Sequence, residues 1–262
     1  MEVITLSNQK GGVAKTTTCL ALGAGLYQRG YTVLCIDLDP QCNLSLGSGA
    51  DLINLNSTVY DVFKGNSTIS DIITHISLGF DLAAGGLQLA GADMEFTSTG
   101  REYLLREALE SVQDRYDYCI IDTPPTLGIL VTNALTASNK VIIPLTADMF
   151  ALQGLSQLNN LIKTVRKYSN PGLEVAGLLI TKHDGRTNVG KALMNEIDSI
   201  ADNIGVKVFK TCIRNSVAVR ECQSRGGDIF REIPKANATQ DYMSFIDEFL
   251  EGEKEHGKQE TT

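Results

Sequence analysis

The chain has 262 residues, of which 43% are hydrophobic, and it carries a formal net charge of −8. This length and composition allow one large hydrophobic core and require no second domain. No apolar run reaches about 18 residues and no charged-then-apolar leader is present, so we expect neither a membrane-spanning nor a secreted protein but a cytoplasmic one. The acidic balance argues against a protein that is covered in nucleic acid over its whole surface.

Strands and helices alternate along the chain. Continuous apolar runs predict strands at residues 3–6, 32–36, 80–83, 118–121, 141–143, 175–180 and 206–209. Apolar side chains spaced three and four apart predict helices at residues 16–28, 104–112, 127–137, 153–165 and 189–204, with short helices at 59–63 and 69–73. This order predicts an α/β fold in which helices cover both faces of a mostly parallel sheet.

The domain organisation follows from the same pattern. We expect a single domain over residues 1–250. Residues 251–262 lack anchoring apolar side chains and are expected to form a disordered polar tail. The cysteines form no C-x-x-C pair, which favours buried free thiols over disulfides or metal ligands at Cys19, Cys35, Cys42, Cys119, Cys212 and Cys222.

A glycine turn joins the first predicted strand to the first helix. Its sequence is Lys10-Gly11-Gly12-Val13-Ala14-Lys15-Thr16-Thr17. The backbone N–H groups of such a turn can surround phosphate oxygens, the following helix directs its positive end at the same anion, and Lys15 can reach the β- and γ-phosphates. The ordinary pattern G-x-x-x-x-G-K-[ST] is not met, because Gln9 and Ala14 stand where it requires glycine. The alternative is a turn that only connects a strand to a helix.

Ala14 would cost about 1 kcal/mol if the backbone there needs a positive φ, which a tightly held loop can absorb. Nucleotide binding is therefore still expected.

Acidic side chains end two further predicted strands. Asp37 and Asp39 are two residues apart, so in an extended chain both carboxylates lie on the same side. Asp39 followed by Pro40 also suits the start of a helix, which is the alternative interpretation. Asp122 closes the apolar run at 118–121, where a lone carboxylate can hold Mg²⁺ through a water molecule.

These motifs resemble those of the ParA/MinD group of ATPases. The turn matches the deviant Walker A form K-G-G-x-x-K-[ST]-[ST] of the P-loop NTPases, Asp37 to Gln41 match the motif D-x-D-P-Q, and Asp122 ends a Walker B-like strand. The resemblance continues over almost all of the chain and is to the short, Soj-like branch of ParA. No DNA-binding extension precedes Met1, so the larger plasmid type is not expected.

The resemblance implies a role for each site residue. Lys15 would bind the phosphates of its own subunit, Lys10 would cross a dimer interface to the partner's nucleotide, and Asp39 would orient or activate the attacking water. Thr17 would hydrogen-bond the α-phosphate. The residues implied as catalytic are Lys10, Lys15 and Asp39. Those implied to hold Mg²⁺ are Thr16, Asp37 and Asp122. Those implied to bind ATP are Lys10, Gly11, Gly12, Val13, Ala14, Lys15, Thr16 and Thr17.

A local basic segment stands out within the acidic chain. Residues 205–235 contain seven basic and three acidic side chains, a local excess of four positive charges. Combined with the family's usual positions, this makes Arg186, Arg214 and Arg220 candidates for DNA phosphate contact. Several relatives carry arginine where this chain has Ala218, so Arg220 would substitute for it. The alternative is an ordinary solvated surface.

The resemblance implies an ATP-dependent switch. ATP and Mg²⁺ would favour a homodimer that binds DNA without sequence preference. Slow hydrolysis to ADP and phosphate, stimulated by a ParB-type centromere-binding partner, would then drive segregation of a chromosome or plasmid. The setting would be the nucleoid of a prokaryotic cytoplasm, without stable membrane association.

Three other functions agree less well with the sequence. A MinD-like ATPase acting at a membrane surface in cell-division positioning would end in a basic amphipathic helix, but the apolar stripe at residues 242–250 is flanked by acids. An electron carrier like the nitrogenase iron protein would need two cysteines at a dimer face. A nucleotide-binding scaffold without hydrolysis would leave Asp39 without an obvious role.

Overall fold

A seven-stranded sheet forms the centre of the molecule, with strand order β3-β4-β2-β5-β1-β6-β7. The computed structural model describes residues 1–146, 151–183 and 188–259. The strands are β1 Glu2–Leu6, β2 Val33–Asp37, β3 Ile73–His75, β4 Asp81–Ala83, β5 Tyr118–Asp122, β6 Lys140–Thr146 and β7 Glu174–Thr181. All pairs are parallel except β3 with β4. The predicted mostly parallel α/β fold is confirmed.

Helices cover both faces of this sheet. The longer ones are α1 Lys15–Gln28, α6 Leu104–Glu110, α7 Ile129–Ala137, α8 Ala151–Tyr168, α9 Asn188–Ile204, α10 Val217–Ser224 and α12 Asn237–Gln259. The shorter α-helices are α2 Asn43–Gly47, α3 Val59–Phe63, α4 Ile69–Ile72, α5 Ala92–Glu95 and α11 Ile229–Glu232, and 3₁₀ turns lie at Leu87–Gly91 and Arg101–Tyr103.

The central strands are buried on both sides, which explains why they are continuous apolar runs. In β2, the side chain of Cys35 packs into a core with α1 and α12, whereas those of Leu34 and Ile36 pack with α3 to α7. β5 alternates in the same way, with Ile120 on the first face and Ile121 on the second. A third core lies between β6, β7, α8 and α9. Because helices cover the faces of the sheet, a ligand is expected at the edge formed by the carboxyl ends of the parallel strands.

One predicted strand is wrong. Residues 206–209 form no regular strand and make only a bridge between Leu178 and Val208, because this short stretch meets the edge strand β7 at one point. The short helix predicted at 69–73 is confirmed as α4 and ends at Ile72, one residue early, because Ile73 begins the antiparallel edge strand β3, which the sequence analysis did not predict. The side chains of β3 are partly or fully exposed. The strand therefore has no continuous apolar run in the sequence by which it could be predicted.

The C-terminal helix is longer than the sequence indicates. α12 continues to Gln259, beyond the expected domain end at residue 250. Glu253 accepts a hydrogen bond from Lys140 Nζ at 2.5 Å, which ties the start of the expected disordered tail to β6. The division into one domain and a tail stays a prediction. Among the described residues, none of the helices is both long enough and apolar enough to cross a lipid bilayer.

The thiols agree with the sequence prediction. All six cysteines are free, and only Cys212 is less than fully buried. Burial raises the pKa of the Cys19, Cys35 and Cys119 thiols, so these side chains act as small apolar groups in the core.

Candidate nucleotide-binding site

A cleft of about 670 Å³ opens at the carboxyl edge of the sheet. One wall is the glycine turn with the first residues of α1, and the others are α2, α10 and the start of α12. The turn, Asp39 and the basic segment therefore border one cavity, as the sequence predicts for motifs that end parallel strands.

The glycine turn holds a left-handed backbone at two positions. Gly12 has φ 74° and Ala14, which precedes the first residue of α1, has φ 65°. The Cβ of Ala14 opposes that conformation, so the surroundings must hold the turn in place. Asn8 donates from Nδ2 to the carbonyl oxygen of Pro144 at 2.7 Å and accepts the N–H of Lys10 at 2.9 Å. Thr181 Oγ1 donates to the carbonyl oxygen of Val13 at 3.0 Å.

The side chain of Lys15 folds back across its own turn. Its Nζ donates to the carbonyl oxygens of Asn8 at 3.1 Å and Lys10 at 3.4 Å, and the residue is only 7% exposed. Burial lowers the pKa of Lys15, and the carboxylates of Asp122 and Asp39 oppose that shift. The ammonium group is thus placed inside the loop that would surround a phosphate.

Lys10 lies at the rim of the turn and is half-buried. Its Nζ donates to Thr146 Oγ1 at 3.4 Å, at the end of β6. The role across a dimer interface stays a prediction.

Thr16, Asp37 and Asp122 form the predicted magnesium position. Asp37 and Asp122 are register partners on β2 and β5, and both are fully buried. Thr16 Oγ1 donates to Asp122 Oδ2 at 2.5 Å. Burial raises the pKa of both carboxyl groups; their mutual repulsion raises that of Asp122 further, while the Thr16 hydrogen bond and Lys15 oppose the shift there.

This donor set fits Mg²⁺. The ion prefers oxygen ligands and in nucleotide sites is held by one or two carboxylates together with phosphates and water, not by a complete protein cage. Consistently, the described residues contain no cluster of three or more His, Cys, Asp or Glu side chains suited to a metal. A cation here would also relieve the repulsion between the two buried acids.

Asp39 lies beside this pair and is 7% exposed. Its backbone N–H donates to Asp37 Oδ1 at 3.1 Å, and its own Oδ1 accepts the N–H of Gln41 at 2.9 Å. The alternative interpretation of Asp39 as a helix N-cap is wrong, because the N-cap of α2 is Cys42, which has φ 55°. Its carboxylate lines the cleft, as a group acting on a water molecule must.

The three predicted DNA contacts have different surroundings. Arg220 is exposed on α10 and borders the cleft. Arg214 also borders the cleft, but its guanidinium is bound to Asp241 through Nε at 2.8 Å and Nη2 at 2.6 Å. Arg186 lies outside the described residues. DNA contact by these side chains stays a prediction.

The prediction from sequence missed several residues of the site. Lys182 directly follows β7, lines the cleft and places Nζ 3.9 Å from where a Cβ on Gly12 would be. Its place at the carboxyl end of a parallel strand was a usable signal. Gln223 donates from Nε2 to the carbonyl oxygen of Thr17 at 3.2 Å, and Ser45 binds Asp37. Nothing local in the sequence indicates those long-range contacts.

Comparison with known proteins agrees with this geometry. A family model described as "AAA domain" matches residues 1–175. The chain is 40% identical to the sporulation initiation inhibitor protein Soj of Bacillus subtilis, over 94% of this chain and 97% of that protein. It is 36% identical to the chromosome partitioning protein ParA of Caulobacter vibrioides, over 97% and 96%. This chain belongs to the ParA/Soj family of partitioning ATPases.

A solved structure extends the agreement to three dimensions. The Mycobacterium smegmatis protein named cobyrinic acid a,c-diamide synthase, crystallised with bound ADP and magnesium, superposes with a TM-score of 0.85 at 33% identity, covering 97% of this chain and 95% of that one. The family assignment confirms that this ParA/Soj-type chain is an ATPase. The expectation of a nucleotide with Mg²⁺ is confirmed at the level of its solved relatives.

Proposed function

We propose that this ParA/Soj-type ATPase is an ATP-dependent dimerising switch that binds DNA without sequence preference and acts in chromosome or plasmid partition. ATP with Mg²⁺ would occupy the cleft, with Lys15 on the phosphates and Thr16, Asp37 and Asp122 around the metal. Lys10 would reach the nucleotide of a second copy, and Asp39 would act on the attacking water. Hydrolysis, stimulated by a ParB-type partner, would separate the subunits at the nucleoid of a bacterial cytoplasm.

The observation that carries this proposal is the position of α10. This helix presents the exposed Arg220, yet it borders the same cleft as the phosphate-binding turn. A change of nucleotide in the cleft therefore acts next to a candidate DNA contact. Dimerisation would double the number of such contacts, and affinity for duplex DNA depends steeply on that number.

The surroundings of α12 favour DNA over a membrane as the binding surface. The apolar stripe of this helix is buried, since Tyr242, Phe245, Ile246 and Phe249 are at most 2% exposed. Its acids are occupied by the domain as well: Asp247 binds Arg29 at 2.6 Å and Glu248 accepts the N–H groups of Lys210 and Thr211. Over residues 237–253, where the side chains of this helix are described, it presents no basic apolar face to lipid, unlike the MinD-like alternative.

The test combines assembly and DNA binding. Asp39→Ala should retain ATP without hydrolysing it, so light scattering should show a dimer with ATP and a smaller species with ADP. Gel shifts with duplexes of unrelated sequence should show binding only with ATP and an affinity that falls steeply with salt. Lys15→Ala is the negative control, since it should bind neither nucleotide nor DNA. DNA binding that is indifferent to nucleotide contradicts the switch.

A further inference from the structure

Ser45 is a buried hydroxyl that connects three parts of the site. The residue lies in α2 and is 0% exposed. Its Oγ donates to Asp37 Oδ2 at 2.7 Å, and its backbone N–H donates to the same oxygen at 2.9 Å. The hydroxyl oxygen accepts the N–H of Gly85, from the loop after β4, at 3.2 Å. One side chain thus bonds α2 to the end of β2 and to the neighbouring loop.

Both oxygens of Asp37 are held by this arrangement. Oδ2 receives two hydrogen bonds from Ser45, and Oδ1 receives the backbone N–H of Asp39 at 3.1 Å. These three donors fix the plane of the Asp37 carboxylate, and that plane sets the direction in which a free lone pair on Oδ1 points.

Gly85 closes the arrangement from the other side. A Cβ at this position would lie 2.9 Å from the carbonyl oxygen of Asp37 and 3.2 Å from its carboxyl carbon, so the loop packs directly against the acid. The N–H of Gly85 has its partner in Ser45 Oγ. Removing that hydroxyl would leave a buried donor unpaired beside Asp37, and the loop and the carboxylate would both lose their alignment.

We propose that Ser45 is the positioning residue for the magnesium-binding carboxylate of this ATPase. It acts on Asp37 directly and, through Asp37 Oδ1, on the backbone of Asp39. The proposal rests on the assignment of Asp37 to Mg²⁺ made above and is independent of DNA binding. Residues that orient a metal ligand from behind typically change metal affinity by about 10- to 100-fold when they are replaced.

The test measures ADP affinity by calorimetry with Mg²⁺ and with EDTA, since the difference isolates the contribution of the metal. In Ser45→Ala the gain in ADP affinity upon adding Mg²⁺ should fall about tenfold or more, while the affinity in EDTA stays within about twofold of the original chain. The turnover number should fall in parallel, with the KM for ATP at saturating Mg²⁺ nearly unchanged, because the phosphate-binding turn is intact.

Ser48→Ala is the matched control. Ser48 is equally buried and follows α2 directly, but its Oγ donates to the carbonyl oxygen of Ser45 at 2.8 Å. Both variants lose one oxygen atom and one buried donor, and thermal unfolding checks that both fold. An unchanged Mg²⁺ gain in Ser48→Ala supports the proposal, whereas an equal loss in both variants means a structural role and overturns it.

The variant Asp37→Asn tests the assignment of Asp37 to Mg²⁺ separately from the role of Ser45. It should abolish most of the Mg²⁺ gain. If Asp37→Asn keeps the gain, the metal assignment itself fails and the role of Ser45 fails with it. If Asp37→Asn loses the gain but Ser45→Ala keeps it, only the role of Ser45 is overturned. Neither result depends on whether the protein binds DNA.

Discussion

The guanidinium of Arg214 is held by Asp241 in a two-point ion pair, with Nε to Oδ2 at 2.8 Å and Nη2 to Oδ1 at 2.6 Å. The same carboxylate also accepts the backbone N–H of Arg214, and Nη2 donates to the carbonyl oxygen of Asn237. This arginine therefore fastens the segment before α10 to the start of α12. Its charge is already matched by an acid, unlike that of a side chain free to reach DNA phosphate.

The ion pair predicts unequal effects on DNA binding. Arg220→Ala should weaken ATP-dependent DNA binding several-fold and reduce the slope of affinity against salt by about one phosphate contact per subunit. Arg214→Ala should leave that slope nearly unchanged and instead weaken nucleotide binding, because Arg214 lines the cleft. Gel shifts across a salt series and nucleotide titrations distinguish the two. A smaller salt slope in Arg214→Ala would contradict the interpretation of the ion pair.

Ala14 provides a test of backbone strain in the phosphate-binding turn. Its φ of 65° is left-handed, where the Cβ of alanine is unfavourable. Ala14→Gly should remove that strain and raise the free energy of unfolding by up to about 1 kcal/mol, since the greater freedom of glycine in the unfolded chain offsets part of the gain. Ala21→Gly, in the interior of α1, should have the opposite sign. Urea denaturation measures both, and destabilisation by Ala14→Gly would contradict the strain.

Elements of the fold were predictable where a pattern within a short stretch of sequence determines them. β2 and β5 were predictable because burial on both faces leaves a continuous apolar run in the sequence. The turn at residues 10–17 was predictable because its chemistry lies within one local string. The edge strand β3 was missed because exposed side chains give no such run.

Long-range contacts were beyond the sequence patterns. The bond between Ser45 and Gly85 joins residues 40 positions apart, and that between Gln223 and Thr17 joins residues 206 positions apart. Likewise, nothing next to Arg214 in the chain indicates that Asp241 neutralises it. Basic residues could be counted from the sequence, but their partners depend on how α12 packs.

The buried acids predict a pH-dependent stability of the metal-free protein. Burial and the nearby Asp37 raise the pKa of Asp122 to about 7, against about 3.9 for an unperturbed Asp. The folded state therefore binds more protons than the unfolded state between these values, and stability falls as pH rises through that window. Asp122→Asn should flatten this fall and make the protein more stable than the original chain at about pH 8.

Guanidinium denaturation in EDTA at about pH 5 and about pH 8 measures this effect. Asp114→Asn, which changes an exposed acid, should leave the profile as it is. Saturating Mg²⁺ and ADP should reverse the order at about pH 8, since the chain that retains the carboxylate binds Mg²⁺ with ADP more tightly and is therefore stabilised more. If Asp122→Asn leaves the dependence of stability on pH unchanged, the raised pKa of Asp122 is not its cause and the prediction is contradicted.

Gln223 predicts a link between the phosphate-binding helix and the basic helix. Its Nε2 donates to the carbonyl oxygen of Thr17 in the first turn of α1, and it lies on α10 one turn after Arg220. The segments that follow α10 and α2 also pack closely, since a Cβ on Gly226 would lie 2.9 Å from the Cα of Gly49. A movement of α1 upon nucleotide binding therefore reaches Arg220 through a short path.

Gln223→Leu should break that link while filling most of the same space. We expect the ratio of DNA affinities with ATP and with ADP to fall several-fold, at a cost in stability of about 1 kcal/mol for the lost hydrogen bond. Gln28→Leu is the matched control, because Gln28 Nε2 donates to Asp228 Oδ2 at 3.1 Å at the other end of α1. Fluorescence anisotropy with labelled duplex DNA gives the ratio. Equal ratios in the two variants would contradict the link, since of these two glutamines Gln223 is the one that bonds the first turn of α1.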